Sequence, residues 1–216
     1  MKKDYQFIYN ILFNHYGPQN WWPAESPFEM MIGAILVQNT NWNNVEKALN
    51  NLSEFMHPEE IDQLPIEKLA GLIRPSGFYK LKAKRIKSFL TWFKTYNYDI
   101  ALVKKVDKHL LRLELLDIHG IGRETADVIL LYALDTPIFV VDAYARRIFY
   151  RLGFDLPNAY DSFRKQIEKE LPEDLTLYNE YHALLVQHAK DHCKANPLCD
   201  RCPILDVCER RVSRSV

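Results

Sequence analysis

All four cysteines of the chain lie in one short segment, spaced C-x5-C-x2-C-x5-C as Cys193, Cys199, Cys202 and Cys208. Four thiolates suit either a tetrahedral zinc ion or an iron–sulfur cluster. Zinc ribbons usually present two separate C-x2-C pairs, whereas this segment has one such pair between two wider gaps. The spacing therefore favours a [4Fe–4S] cluster. Two disulfides would require an oxidising compartment, and the N-terminal sequence lacks the apolar stretch of a signal peptide.

A glycine-rich turn is the second feature with chemical potential. Gly120, Ile121 and Gly122 precede an apolar helical pattern that starts near Thr125. Two glycines around one apolar residue permit close backbone approach, and the amides of the following helix N-terminus form a site for phosphate. An ordinary helical hairpin with a glycine turn is the alternative. Because the formal net charge is zero, nucleic acid would have to be attracted by such backbone dipoles and by local patches.

Asp142 follows the apolar residues 138–141 and precedes another helical pattern. A carboxylate at this point predicts a helix N-cap that accepts an amide hydrogen bond. A carboxylate that leaves a buried segment could also stabilise an oxocarbenium-like sugar, or activate water against one. Taken by itself, the sequence leaves both roles open.

The elements that must position these residues are helices. Apolar residues recur at helical spacing through most of the chain, and Ser26 with Pro27 is typical of an N-cap and first turn. Residues 137–141 form a strand-like run that is short enough to be a buried connector. We therefore predict an all-α protein. A crowd of basic residues after Gly77 predicts a solvated helix face with some phosphate contacts. These residues are Lys80, Lys82, Lys84, Arg85 and Lys87.

The composition predicts a folded protein outside the membrane. Hydrophobic residues make up 48% of the chain and aromatic residues 12%, which is enough for a core. Since no apolar run approaches the length of a membrane span, we expect a cytoplasmic protein.

The hairpin, the Val140-Val141-Asp142 segment and the cysteine loop together resemble the endonuclease III superfamily of DNA glycosylases, in order and in spacing. The resemblance implies two helical domains flanking a DNA-binding cleft. One is a six-helix barrel over residues 27–136 with the helix-hairpin-helix, and the other combines residues 1–26 and 137–216 around a C-terminal [4Fe–4S] loop. It further implies a monomer that binds double-stranded DNA and flips a damaged nucleotide, with Asp142 as the catalytic carboxylate.

Residue 124 departs from the pattern of the bifunctional members of this superfamily. Those members carry a lysine two residues after the second hairpin glycine, and its amine forms a Schiff base with the sugar. This chain has Glu124 instead, and a carboxylate cannot form an imine. We therefore expect a monofunctional glycosylase, which hydrolyses the N-glycosidic bond without lysine-dependent cleavage at abasic sites.

The segments Trp21 to Pro23 and Gln38 to Trp42 resemble the 3-methyladenine glycosylase branch of the superfamily. The resemblance implies that Trp21 and Trp42 sandwich the extruded base, while Trp22 and Pro23 line the pocket. An N-alkylated purine is cationic, so stacking between indoles adds a cation–π attraction of about 0.5–2 kcal/mol. The alternatives are core packing for Trp42 and a hydrophobic plug for the other two tryptophans.

The resemblance also implies residues that contact DNA. Gln38 would fill the gap left by the flipped nucleotide, Phe78 would insert from the opposite loop, and Tyr144 would help to line the gap. The hairpin would supply the phosphate site. Its residues are Gly120, Ile121, Gly122 and Thr125.

Two other functions stay open. The same fold could act on oxidised pyrimidines or mismatched bases, with or without lyase activity. The retained cysteines fit the superfamily as a whole, so the substrate need not follow the aromatic motifs. Their first gap is one residue shorter than the C-x6-C usual in endonuclease III. The alternative of another class is a non-catalytic protein that binds DNA structures through the hairpin and the cysteine loop.

Overall fold

The fold is helical in a computed structural model that describes residues 4–21 and 24–211. This part of the chain contains twelve α-helices and no β-strand, so the prediction of an all-α protein is confirmed. None of the helices in it combines the length and the apolar character that crossing a bilayer requires. In chain order they are α1 Tyr5–Tyr16, α2 Pro27–Leu36, α3 Trp42–Leu52, α4 Pro58–Gln63, α5 Ile66–Leu72, α6 Tyr79–Lys94, α7 Ile100–Val103, α8 Lys108–Asp117, α9 Arg123–Ala133, α10 Ala143–Leu152, α11 Tyr160–Glu168 and α12 Leu175–Asp191.

Contacts within the chain divide it into two compact units. The first, called the terminal unit below, joins Met1–Trp21 with Pro137–Val216. The second, called the central unit, is Trp22–Thr136. The central unit contains α2 to α9, and the terminal unit contains α1 and α10 to α12.

Helix α2 lies in the core of the central unit and packs against α9. Eight of its ten residues are buried. Its start follows the sequence prediction, because the Ser26 hydroxyl accepts a 3.1 Å hydrogen bond from the Glu29 amide and Pro27 is the first helical residue. An apolar helix with a fixed start and end places the loop after Leu36, which carries Gln38, at a defined position.

In the terminal unit, α12 packs against α1 and α10 through an aromatic cluster. The rings of Tyr5 and Phe149 meet edge to face at 5.3 Å, and the Tyr181 hydroxyl donates a 2.9 Å hydrogen bond to the Tyr5 carbonyl. Residues 138–141 are at most 1% exposed and form no strand, which confirms the prediction of a buried connector. The connector leads directly into Asp142 and fixes its backbone.

Candidate functional site

Asp142 stands at the N-terminus of α10 and caps it. Its Oδ1 accepts a 2.7 Å hydrogen bond from the Ala145 amide. Its Oδ2 lies 3.6 Å from Nε2 of His182 on α12, and the two side chains are 13% and 7% exposed. The predicted cap is confirmed. It engages one carboxylate oxygen, and the other faces an imidazole.

His182 also contacts the candidate stacking residue Trp21. The two ring centroids are 5.6 Å apart and the ring planes are inclined by 41°. Trp21 and Asp142 therefore share a neighbour within the terminal unit. Trp22 and Pro23 lie outside the described residues, so their pocket-lining role stays a prediction.

Trp42 opens α3, and its indole packs over Gly33 of α2. A β-carbon at Gly33 would lie 3.2 Å from Trp42 Cη2, so the glycine makes room for the ring. The indole is nevertheless partly exposed, which leaves some surface for stacking.

Tyr144, in the first turn of α10, lies under the Arg147 guanidinium at 5.2 Å from the ring centroid.

The hairpin joins α8 to α9. Gly120 has φ +90°, a conformation that a residue with a β-carbon rarely adopts, and Ile121 is 4% exposed. Gly122 precedes α9 as its N-cap and supplies no capping side chain to the first helical amides. A nearly buried ion pair joins the two helices, in which Arg112 Nε lies 2.6 Å from Asp127 Oδ1.

Gln38 is tied to this hairpin by its side-chain amide. Its Nε2 donates hydrogen bonds of 3.0 Å to the Gly120 carbonyl and to Thr125 Oγ1. Its Oε1 accepts a hydrogen bond from Arg85 Nη1 on α6. Both ends of the amide are thus engaged, and the structure brings together three of the residues that the sequence assigns to DNA contact.

Phe78 precedes α6 with two costly features. Its φ is +45°, in the left-handed region, and its side chain is 67% exposed. Exposed apolar surface and left-handed backbone at a bulky residue are both unfavourable in the isolated molecule. Such features are typical of a residue that serves a function.

The prediction of a solvated, phosphate-contacting face after Gly77 is wrong for two of its lysines. Lys82 is 1% exposed, and its ammonium donates to the carbonyls of Leu36 (2.7 Å) and Ser76 (2.6 Å). Burial, with the nearby Arg85 charge, lowers the pKa of Lys82 to about 8. Lys87 donates to the Ile61 carbonyl at 2.9 Å. These side chains stabilise loops and helix ends.

The four cysteines surround one cavity of about 260 Å³ in the terminal unit. In the described part of the chain, no three Cys, His, Asp or Glu side chains converge closely enough to share one metal ion. Four sulfurs that line one cavity suit either a [4Fe–4S] cluster or a tetrahedral zinc ion. Arg151 Nη1 lies 3.4 Å from Cys193 Sγ, and the Arg210 amide lies 3.4 Å from Cys208 Sγ.

His188 links this loop to α1. Its Nε2 lies 3.8 Å from Cys202 Sγ and its Nδ1 3.1 Å from the Tyr16 hydroxyl. Burial, followed by the His192 charge, lowers the pKa of His188 to about 4, so the ring is neutral near pH 7. A neutral ring with its proton on Nε2 gives both nitrogens a partner, since the Tyr16 hydroxyl then donates to Nδ1.

Residues 32–173, more than half of the chain, match the model of the HhH-GPD superfamily base excision DNA repair proteins. The chain belongs to this superfamily. The resemblance to the endonuclease III superfamily is thereby confirmed.

Individual HhH-GPD proteins are similar over nearly their whole length. A candidate DNA repair glycosylase of Methanocaldococcus jannaschii is 53% identical, over 93% of this chain and 94% of that protein. The structure of an H. pylori 3-methyladenine DNA glycosylase bound to 1,N6-ethenoadenine superposes with a TM-score of 0.78 at 31% identity, covering 87% and 98% of the two chains. A non-covalent endonuclease III–DNA complex gives 0.81 at 27% identity and covers 97% of each chain.

Three residues near the candidate site were missed by the sequence interpretation. His182 lies in an apolar helical pattern forty residues after Asp142, and no local spacing connects the two. The basic run after Gly77 predicts surface charge for Lys82 and Arg85, because a lysine buried on two carbonyls looks the same in the sequence as its exposed neighbours. The one signal of burial in the sequence is that Lys82 falls on the apolar face of α6, at helical spacing from Ile86 and Phe89.

Proposed function

We propose that this HhH-GPD protein is a monofunctional DNA glycosylase that releases N-alkylated purines such as 3-methyladenine. The observation that carries the proposal is the shared contact of Asp142 and Trp21 with His182. A carboxylate that can stabilise positive charge and an indole that can stack on a cationic base lie beside the same imidazole. Similarity to a 3-methyladenine glycosylase, at 31% identity over 87% of this chain, supports the same substrate class.

The chemistry asks little of the protein beyond electrostatics. The damaged nucleotide leaves the stack at a cost of about a few kcal/mol, and Trp21, with Trp42 proposed for the other face, binds the cationic base. The bond between the sugar C1′ and the base nitrogen breaks, and its electron pair neutralises the departing base, so no proton donor is needed. Asp142 stabilises the oxocarbenium-like sugar. Water adds to C1′, and its proton passes to the carboxylate or to solvent.

Cleavage of the abasic strand is not expected from this site. Glu124 replaces the lysine of bifunctional relatives, and a carboxylate forms no Schiff base. Lys82 cannot serve instead, because the residue is 1% exposed and its ammonium is bound to two carbonyls.

The proposed DNA contacts use both backbone and side chains. Gly120 to Gly122 and the Thr125 turn would hold a phosphate at the N-terminus of α9, where no N-cap side chain competes for the amides. Gln38 and Phe78 would fill the duplex where the nucleotide has left, and Tyr144 would line the gap. The partner is therefore double-stranded DNA with one damaged base, bound by a monomer.

The donor set in the terminal unit fits a [4Fe–4S] cluster held by Cys193, Cys199, Cys202 and Cys208. When bound, such a cluster would order the loop and supply electron-transfer capacity, and the base-release chemistry above does not pass through it. Arg151 and the Arg210 amide would compensate the charge of the thiolates. Arg201 and Arg210 are exposed in the same loop and could reach phosphate.

An endonuclease III-like activity on oxidised pyrimidines or mismatched bases is the second candidate. The observation in its favour is the cysteine loop, together with similarity to an endonuclease III–DNA complex across 97% of both chains. This candidate keeps Asp142 and the hairpin in the same roles and changes the base that is bound.

The deciding experiment compares two damaged DNAs under identical conditions. DNA treated with a methylating agent and a duplex containing thymine glycol are incubated with the protein, and the released bases are identified by chromatography. Release of 3-methyladenine alone is expected. Release from the thymine-glycol duplex alone would replace the substrate class by the second candidate. Release from neither would favour a protein that binds DNA without cleaving a glycosidic bond.

A further inference from the structure

Lys82 connects the two loops of the central unit that carry Gln38 and Phe78. Its ammonium donates to the carbonyl of Leu36, the last residue of α2, and to that of Ser76, in the turn before α6. Each of these carbonyls lies two residues before the candidate DNA-contacting side chain of its loop. One buried cation thus fixes the starting point of both loops.

The end of α2 offsets part of the cost of burying the Lys82 ammonium. The last carbonyls of a helix lack partners within the helix and carry its partial negative charge, so they attract a nearby cation. Replacing the ammonium by an apolar group would leave two buried carbonyls without their donor, which costs more than the hydrogen bonds themselves contribute.

Arg85, one turn further along α6, connects the same region to the hairpin. Its aliphatic stem lies on Gly120, where a β-carbon would come within 2.3 Å of Arg85 Cγ. Its Nη1 donates to Gln38 Oε1, and Gln38 Nε2 donates to the Gly120 carbonyl. The contacts form a closed loop of three residues that joins the end of α2, helix α6 and the hairpin.

We propose that Lys82 and Arg85 are positioning residues that hold Gln38, Phe78 and the Gly120–Gly122 turn, together called the probing set, in one fixed arrangement before DNA binds. The inference rests on the proposed function, because it assigns the probing set to the gap in a damaged duplex. Neither residue touches the reacting sugar. Their contribution is to remove the cost of ordering two loops and a hairpin at the moment of binding.

Phe78 shows why such an arrangement is needed. An exposed ring on a left-handed residue would be more favourable if it folded back or if its loop relaxed. Lys82 opposes that relaxation, because its hydrogen bond fixes the carbonyl of Ser76, two residues before Phe78 in the chain.

The test measures the affinity for two duplexes, one undamaged and one containing a tetrahydrofuran abasic analogue, with the variants Arg85→Met and Lys82→Met. Lys94→Met is the matched control, since Lys94 is a 67%-exposed lysine at the far end of the same helix. We expect each positioning variant to lose about tenfold or more in affinity for the abasic duplex, the change that one lost charged hydrogen bond corresponds to. Affinity for undamaged DNA should fall by less than affinity for the abasic duplex, because only the damaged duplex engages Gln38 and Phe78. Both affinities of Lys94→Met should stay within about twofold.

A double-mutant cycle separates positioning from general destabilisation. If Arg85 acts through Gln38, adding Gln38→Ala to Arg85→Met should cause little further loss of abasic affinity. A 2-aminopurine placed opposite the analogue should fluoresce less brightly with Arg85→Met than with the wild type, because the base stays stacked. Additive losses, or unchanged abasic affinity in a folded Arg85→Met variant, would overturn the inference even if Lys82→Met fails to fold.

The binding measurements do not require base release, so the two proposals fail separately. A wild type that releases no base but loses abasic discrimination on Arg85→Met would refute the proposed reaction alone. A wild type that releases base while both folded variants keep their discrimination would refute the positioning role alone. Absence of any abasic preference in the wild type would also overturn the positioning role.

Discussion

Glu124 lies exposed in the first turn of α9, at the position where bifunctional relatives carry the lysine that attacks the sugar. The first turn of a helix favours a carboxylate electrostatically, so Glu124 is compatible with the fold whatever its effect on chemistry. The proposed loss of lyase chemistry at this residue therefore requires no change in the surrounding structure.

Substitution of this residue by lysine tests the assignment. Glu124→Lys should form a covalent complex with abasic DNA that borohydride traps, because an amine is restored where the family places it. The wild type and Glu124→Gln should give none. Trapping of the wild type at a comparable yield would show that another amine performs the lyase reaction.

Of the two facing residues Asp142 and His182, only the first could be predicted from the sequence. Asp142 could be located because a carboxylate between an apolar connector and a helix is a local pattern, and its cap is confirmed. His182 could not, since its 3.6 Å approach to Asp142 depends on how α12 packs against α10. Contacts between helices that are distant in the chain carry no signature in a single sequence.

The two glycines of the hairpin illustrate different demands on one element. Gly120 is required by the fold, because its φ is +90° and a β-carbon would strike Arg85. Gly122 has φ −88°, and no atom of the described residues lies within 4 Å of a β-carbon built there. Space that the protein leaves open at a helix N-terminus is what an approaching phosphate needs.

Alanine at each position should separate these demands. Gly120→Ala should destabilise the protein by about 1–3 kcal/mol, from backbone strain and the displaced Arg85. Gly122→Ala should change stability by less than about 1 kcal/mol yet weaken DNA binding about tenfold, because its methyl group meets the phosphate. Urea unfolding and duplex affinity measure the two effects. A Gly122→Ala variant with unchanged affinity would contradict the phosphate site.

Lys82, in α6, makes the stability of the protein depend on pH, and the sign follows from its lowered pKa. The pKa of its buried ammonium is lowered to about 8 from an ordinary 10.5, so the unfolded chain binds more protons between these values. Stability contributed by this residue therefore rises as pH increases across that window, by at most about 1.4 kcal/mol per pH unit, and is lowest below pH 8. The free energy of unfolding of the wild type relative to Lys82→Met should increase from pH 8 to pH 10. A constant difference would show that the charge is not penalised by burial.

Periodicity predicted the helices themselves, since eight of the ten residues of α2 are buried and the Ser26 cap starts it as expected. The same periodicity could not distinguish buried Lys82 from exposed Lys84, because both belong to one basic run. Lys82 is buried because the carbonyl at the end of α2 lies beside it, and that contact depends on how the helices pack.

The cysteine loop is bound to α10 of the terminal unit through Arg151. Its sulfurs line one cavity with Arg151, whose guanidinium also donates to the carbonyls of Lys194 and Ala195. A bound cluster would stabilise the folded state by mass action, since the unfolded chain offers no such site.

Protein purified without oxygen should contain about four iron and four sulfide per chain and absorb near 400 nm, as iron–thiolate clusters do. Cys202→Ser should lower the iron content and the melting temperature together. A colourless protein with one zinc per chain would contradict the cluster. An unchanged melting temperature after complete iron loss would contradict its structural role.

The most direct measurement is single-turnover release of 3-methyladenine from methylated DNA by the wild type and by Asp142→Asn, with the same DNA run on a denaturing gel. Asparagine caps a helix as well as aspartate does, so the variant should fold and bind DNA normally. We predict free 3-methyladenine and an intact abasic strand from the wild type, and release at least about a hundredfold slower from Asp142→Asn, because the charge that stabilises the sugar is gone. Equal release by the two proteins, above the rate without protein, would contradict the account of Asp142 as the catalytic carboxylate.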